Sequence, residues 1–120
     1  GTWTNASSRT FKEGFAAIDP LEVLDRVLAL GISRWSYIGS GEGEHVGPMA
    51  EDFHAAFGLG NNEQRIATVD ADGVALAAIQ GLNQKLETEL EQARAENAGL
   101  QAQLQQLAAR LAALEAAGGR

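Results

Sequence analysis

The stretch LAAIQGLNQKLETELEQARAENAGLQAQLQQLAARLAAL, residues 76–114, decides the fold. Alternating steps of three and four from Leu76 land on Ile79, Asn83, Leu86, Leu90, Ala93, Asn97, Leu100, Leu104, Leu107, Leu111 and Leu114. That 3.5-residue period is an a/d seam, an apolar stripe that a lone helix leaves wet and that further helices bury. Asn83 and Asn97 both fall at a positions, where an amide loses hydration unless another amide lies opposite at the same height. Parallel, in-register strands meet that condition. Leucine at most a and d positions leaves the number of strands open. About 40 residues of helix at ~1.5 Å each would run ~60 Å. Gly99 weakens it by about 1 kcal/mol relative to alanine, and Gly118-Gly119 is a natural stop. An antiparallel hairpin or a simple two-stranded tether are the plainer alternatives. The acidic first half, with Glu87, Glu89, Glu91 and Glu96, reads as a solvated face.

Upstream of the stripe roughly 75 residues remain, a core small enough that oligomerisation commonly supplies the missing stability. Nine Lys+Arg against 16 Asp+Glu give a net charge of −7, and the basic residues are scattered. Nucleic acid and anionic membranes therefore find no positive patch. The absence of cysteine excludes disulfides, thiolate metal sites and a cysteine nucleophile. No apolar run approaches the ~20 residues of a membrane span, and no secretory leader is expected. No metal site, cofactor or small-molecule substrate is expected either, because pocket-forming polar clusters are missing from the pattern. Asp70-Ala71-Asp72-Gly73 echoes a calcium loop but lacks its later ligands, and the glycines of residues 39–43 lack the Lys-Ser/Thr of a phosphate loop.

Residues 2–10 are a polar, extended lead-in with one aromatic, Trp3. Asp19-Pro20 reads as an N-cap followed by proline at the first helical position. Val23, Leu24, Val27, Leu28 and Leu30 form the inward stripe of that helix, with Gly31 as terminator. Residues 32–38 alternate as a strand, residues 39–43 turn, and residues 45–49 return as a second short strand. Residues 50–57 make a brief helix burying Phe53 and Phe57. Residues 66–69 predict another short strand, and Asp70 an N-cap opening the long helix. The fold class is α+β: a globular domain over residues 1–73, then a C-terminal coiled-coil helix over residues 74–120.

Ser7 and Lys12 are the pair to weigh for chemistry, since a lysine amine beside a serine makes a nucleophile without histidine; on the residues alone the plainer reading is a serine and a lysine in a polar lead-in. The lysine must be neutral to accept the serine proton, and burial against groups such as Phe11 or Phe15 favours that form. At i, i+5 the two side chains diverge by ~140° on a helix or lie ~16 Å apart along a strand. They meet only if a turn near Ser8-Arg9 folds the segment back, or if one partner comes from another subunit. His45, beside Gly47-Pro48, reads as a structural hydrogen-bonding residue, and His54 as a helix-surface residue.

The string Asn5-Ala6-Ser7-Ser8-Arg9-Thr10-Phe11-Lys12-Glu13 resembles the opening Ser-Asp-x-x-x-Lys signature of the intramolecular chaperone domain, the peptidase S74 or chaperone of endosialidase family. Three further blocks match in order. These are the helix over residues 23–30 with Trp35-Ser36-Tyr37; then His45-Val46-Gly47-Pro48-Met49-Ala50-Glu51-Asp52-Phe53, similar to the family's His-x-Gly-x-x-Ala-Gln-Glu/Asp-Val/Phe block; and Val69-Asp70-Ala71-Asp72-Gly73-Val74-Ala75-Leu76, similar to the lead into its terminal helices.

The resemblance implies a homotrimer with a parallel three-stranded coiled coil, which brings three chains together before the upstream β-stalk of the same chain folds. It places the protein on a phage tail fibre or a bacterial cell surface, assembled in the bacterial cytoplasm. It also implies self-cleavage after assembly, with Ser7 as nucleophile, Lys12 as general base and the scissile peptide at Ser7. Ser8 stands where members commonly have Asp, removing a carboxylate able to orient the lysine or hold the turn, and Glu51 replaces the common Gln. A copy that assembles but cleaves slowly or not at all is the expectation from those departures. A permanent structural fibre cap and a generic coiled-coil interaction module are the alternatives.

Overall fold

The computed structural model describes residues 4–119; Trp3 lies outside them. A single 3-10 turn (Arg9–Phe11) precedes α1 (Pro20–Ala29), β1 (Ser33–Trp35), β2 (His45–Gly47), α2 (Ala50–Phe57) and α3 (Thr68–Gly118). Two compact units result, Gly1–Asn83 and Gln84–Arg120.

In the first unit, Asp19 caps α1 as expected, its carboxylate accepting from Leu21 N at 3.0 Å, with Pro20 at the first helical position. The helix ends on Leu30 in an extended conformation, so Gly31 is not the terminator. The left-handed glycine cap belongs instead to α2: Gly58 has φ 62° and its N–H donates to His54 O at 2.8 Å. β1 and β2 pair antiparallel, with Ser33 opposite Gly47, Arg34 opposite Val46 and Trp35 opposite His45. The strand expected over residues 32–38 stops at Trp35, because the chain turns at Tyr37, whose carbonyl accepts from Ser40 N.

No strand forms over residues 66–69. The helix begins at Thr68, and the Ala67 carbonyl accepts from both Asp70 N and Ala71 N. Asp70 is therefore not the N-cap. It sits in the first turn, where its carboxylate meets the positive end of the helix dipole. The β-branched Thr68 and Val69 lower helix propensity only slightly, which the cooperative helix beyond them outweighs.

The core of this unit is small: Leu24 of α1, Phe53 of α2, and Ala77, Ala78 and Gly81 of α3 are the buried residues among those described. Phe57 stacks on Phe53 at 4.9 Å but is only half-buried. Arg26 ties α1 to α2 by donating to the Ala56 carbonyl while pairing with Glu22. Gly81 is where α1 approaches α3 most tightly. A Cβ there would overlap the Pro20 carbonyl oxygen and lie 3.1 Å from Leu24 Cβ.

On the helix wheel, Ala77, Ala78 and Gly81 occupy the b, c and f positions, opposite the a/d seam. They are buried, while Leu76 and Ile79 of the seam stay 64 % and 63 % exposed. The second unit, Gln84–Arg120, continues the same helix without interruption through Gly118, so the segment does not fold back as a hairpin. Its seam leucines, from Leu86 to Leu114, are all exposed. Among the described residues no helix is long and apolar enough to cross a membrane.

Two glycines of α3 give opposite expectations. Gly81→Ala forces α1 away and should destabilise the fold by about 2 kcal/mol or more, the upper range of overpacking. Gly99→Ala meets nothing within 4 Å and should stabilise by about 1 kcal/mol from helix propensity. Melting temperatures of the two variants check the signs.

Candidate functional site

The lead-in folds back on itself over one short turn, and the turn is built from local hydrogen bonds. Ser8 Oγ accepts from Thr10 N at 3.2 Å and lies 2.8 Å from Thr10 Oγ1, while Phe11 N donates to Ser8 O and Lys12 N to Arg9 O. A serine hydroxyl bonding the backbone two residues on is an ST turn, the hydroxyl counterpart of the Asx turn. The 3-10 turn Arg9–Phe11 reverses the chain between residues 7 and 12. Lys12 Nζ thereby donates to Ser7 Oγ at 2.7 Å.

Ser7 and Lys12 thus meet within the chain, by the turn near Ser8-Arg9. Ser8 itself supplies the turn-holding acceptor that its replacement of aspartate seemed to remove. The clue in the sequence was the Ser8-Arg9-Thr10 spacing, which puts a hydroxyl acceptor two residues before a backbone N–H. Both members of the pair are exposed in the protomer, and so are the neighbouring Phe11 and Phe15. An amine and a hydroxyl in contact are a base and a nucleophile in waiting; what they lack here is a dry, apolar surround.

A second cluster gathers on the hairpin. The Trp35 and His45 rings lie tilted at 5.1 Å, Tyr37 stands edge-on to Trp35 at 4.9 Å, and Trp35 Nε1 donates to the Gly47 carbonyl at 3.3 Å. Cross-strand pairing of Trp35 with His45 puts these rings on one face. His45 acts through ring packing rather than as the hydrogen-bonding residue expected. Its Nε2 is shielded without a hydrogen-bond partner and stands 3.6 Å from Glu42 Oε2, beyond hydrogen-bond range. Gly47 contributes its carbonyl; a Cβ there would sit 3.9 Å from the indole nitrogen, an ordinary contact. His54, half-buried, binds the Leu59 carbonyl through Nδ1 at 3.2 Å and so fastens the loop that follows α2. Among the described residues no group of three or more His, Asp or Glu side chains is placed to hold a metal ion.

Residues 7–58 match the sequence profile of the family described as Peptidase S74, chaperone of endosialidase. This stretch is similar to a chaperone of endosialidase domain. The match opens on Ser7, spans the turn, α1, the hairpin and α2, and closes on the Gly58 cap, leaving α3 outside it. The likeness supports an intramolecular chaperone role. No curated protein and no solved structure matches the chain significantly.

The turn makes a local prediction. Ser8→Ala removes the acceptor for Thr10 N and should cost about 1 kcal/mol of local stability, as loss of a capping hydroxyl does, whereas Ser8→Asp should preserve it. Hydrogen exchange at the Thr10 and Phe11 amides reads the difference directly, faster in the alanine variant and unchanged in the aspartate one.

Proposed function

We propose that this chain is a C-terminal intramolecular chaperone: three copies associate in parallel through α3, template the folding of an upstream fibre or tail-spike β-stalk, and release it by cutting at Ser7. The observation that carries this reading is the uncovered leucine seam. Burying a leucine side chain is worth ~1.5–3 kcal/mol, and Leu86, Leu90, Leu100, Leu104, Leu107, Leu111 and Leu114 all face solvent in one protomer. Parallel association turns a three-body search by the stalk chains into an effectively intramolecular one. The phage-tail or bacterial-surface setting follows from the family and not from any residue of its own.

The release step fits the turn geometry. Ser7 Oγ adds to the Ala6 carbonyl carbon while its proton passes to the neutral Lys12 amine. That proton then goes to the Ser7 nitrogen as the Ala6–Ser7 C–N bond breaks, leaving Ala6 as an ester on Ser7 Oγ. Water hydrolyses the ester, giving a free Ala6 carboxylate and restoring the Ser7 hydroxyl on a new N-terminus. The 2.7 Å contact, in which Nζ donates to Oγ, puts the two atoms within reach of that proton transfer once the amine is neutral. Exposure of both groups in the lone protomer supports a delay: covering Phe11 and Phe15 on assembly would dry the amine, so cutting follows association. The same exposure favours a second reading, a permanent fibre cap in which that covering never occurs.

A longer chain with its upstream stalk tests both steps. By sedimentation equilibrium it should weigh three copies, and the isolated 120-residue chain three times its 12.6 kDa. On denaturing gels the trimer should shed its tail, and Ser7→Ala or Lys12→Ala should abolish the shedding without changing the mass of the assembly. An intact tail in a stable trimer would establish the cap; a monomer would refute both.

A further inference from the structure

The asparagine layers do not by themselves align the strands of the bundle. Slipping one strand by one heptad sets Asn83 and Asn97 against leucines, which the amides resist. A two-heptad slip is resisted less, because it sets Asn83 against Asn97 of the neighbouring copy and keeps one amide layer, while the remaining Asn97 meets Leu111 and the remaining Asn83 meets Val69.

We propose that the charged g and e positions of α3 lock the in-register alignment against that slip, with a second copy of this chain as the partner surface. The inference rests on the parallel self-association proposed above. In a parallel pair each g residue faces the e residue five positions on in the neighbouring helix. In register, Glu89 faces Arg94 of the neighbouring copy and Arg110 faces its Glu115, while the remaining g–e contacts pair no like charges. Under a two-heptad slip both attractive pairs vanish. Glu96 of one strand then meets Glu115 of the other, and Glu96 of that other strand meets Glu87 of the first. The one-heptad slip gives one attractive contact, Glu96 with Arg94, and one repulsive contact, Glu89 with Glu87. Only the aligned arrangement is wholly complementary.

The protomer leaves these groups available. Glu89, Arg94, Arg110 and Glu115 are exposed on α3, and none of them belongs to the Arg26–Glu22 or Arg34–Glu44 ion pair. Glu96 accepts from Gln92 Nε2 at 3.3 Å along its own helix. Each pair alone contributes little at a wet surface, yet the pairs repeat at every interface of the assembly, and like charges brought face to face oppose it.

A charge swap in the full chain tests this. Glu89→Arg alone and Arg94→Glu alone should each lower the melting temperature in low salt by ~5 °C or more, and the Glu89→Arg/Arg94→Glu double variant should recover most of the loss. One molar salt should flatten all three differences, because screening then acts over ~3 Å. Additive losses in the double variant, with a wild-type chain that still sediments as an oligomer, would overturn the register lock and leave self-association standing. A wild-type chain that sediments as a monomer would overturn the association on which it rests.

Discussion

Everything in this protein depends on a helix that serves two customers with two faces. Over residues 74–82, α3 turns Ala77, Ala78 and Gly81 toward the small domain and leaves Leu76 and Ile79 in water. Small residues let α1 come close enough for a Gly81 Cβ to have no room, so the domain is fastened to the helix without using the seam. The seam is thereby left whole and exposed, as the proposed association requires. Had the domain core used leucines from a and d, folding of the protomer and association of protomers would compete for the same surface.

The chemistry is kept separate from the association in the same manner. A short turn held by Ser8 and Thr10 brings Ser7 and Lys12 into contact with no help from the core. Local hydrogen bonds set the distance, and solvent sets the reactivity. Such a division suits a single-turnover device, because a pair that is aligned early but wet stays quiet until the surroundings change. Under the proposed function, irreversible release would protect the stalk kinetically, since the path back to the unassembled state would no longer be available.

Periodicity made α3 legible over nearly its whole length, and the Asp19-Pro20 cap, the α2 helix and the hairpin were equally plain because each rests on neighbouring residues. The misses have a common cause. Residues 66–69 look like a strand by side-chain type, yet the helix reaches back to Thr68 because extending an existing helix is easy. Gly81 carried no signal of its own in the sequence, since only the approach of α1 gives it a role. The meeting of Ser7 with Lys12 was left open by their spacing, as helix and strand geometries both keep them apart; the hydroxyl of Ser8, standing in place of a carboxylate, decided it. His45 was read as a hydrogen-bonding residue from its neighbours Gly47 and Pro48, whereas its surroundings are the rings of Trp35 and Tyr37.

Because the chain has no cysteine, one introduced thiol reports on the assembly without ambiguity. A spin label on Ala116→Cys, at an outer f position of α3, measures copy-to-copy distance near one end of the helix. Parallel, aligned strands predict a single short separation, under about 25 Å for helices packed 8–10 Å apart. A separation of about 40 Å or more, as antiparallel strands would give at ~1.5 Å per residue, or no dipolar coupling at all, would contradict the account.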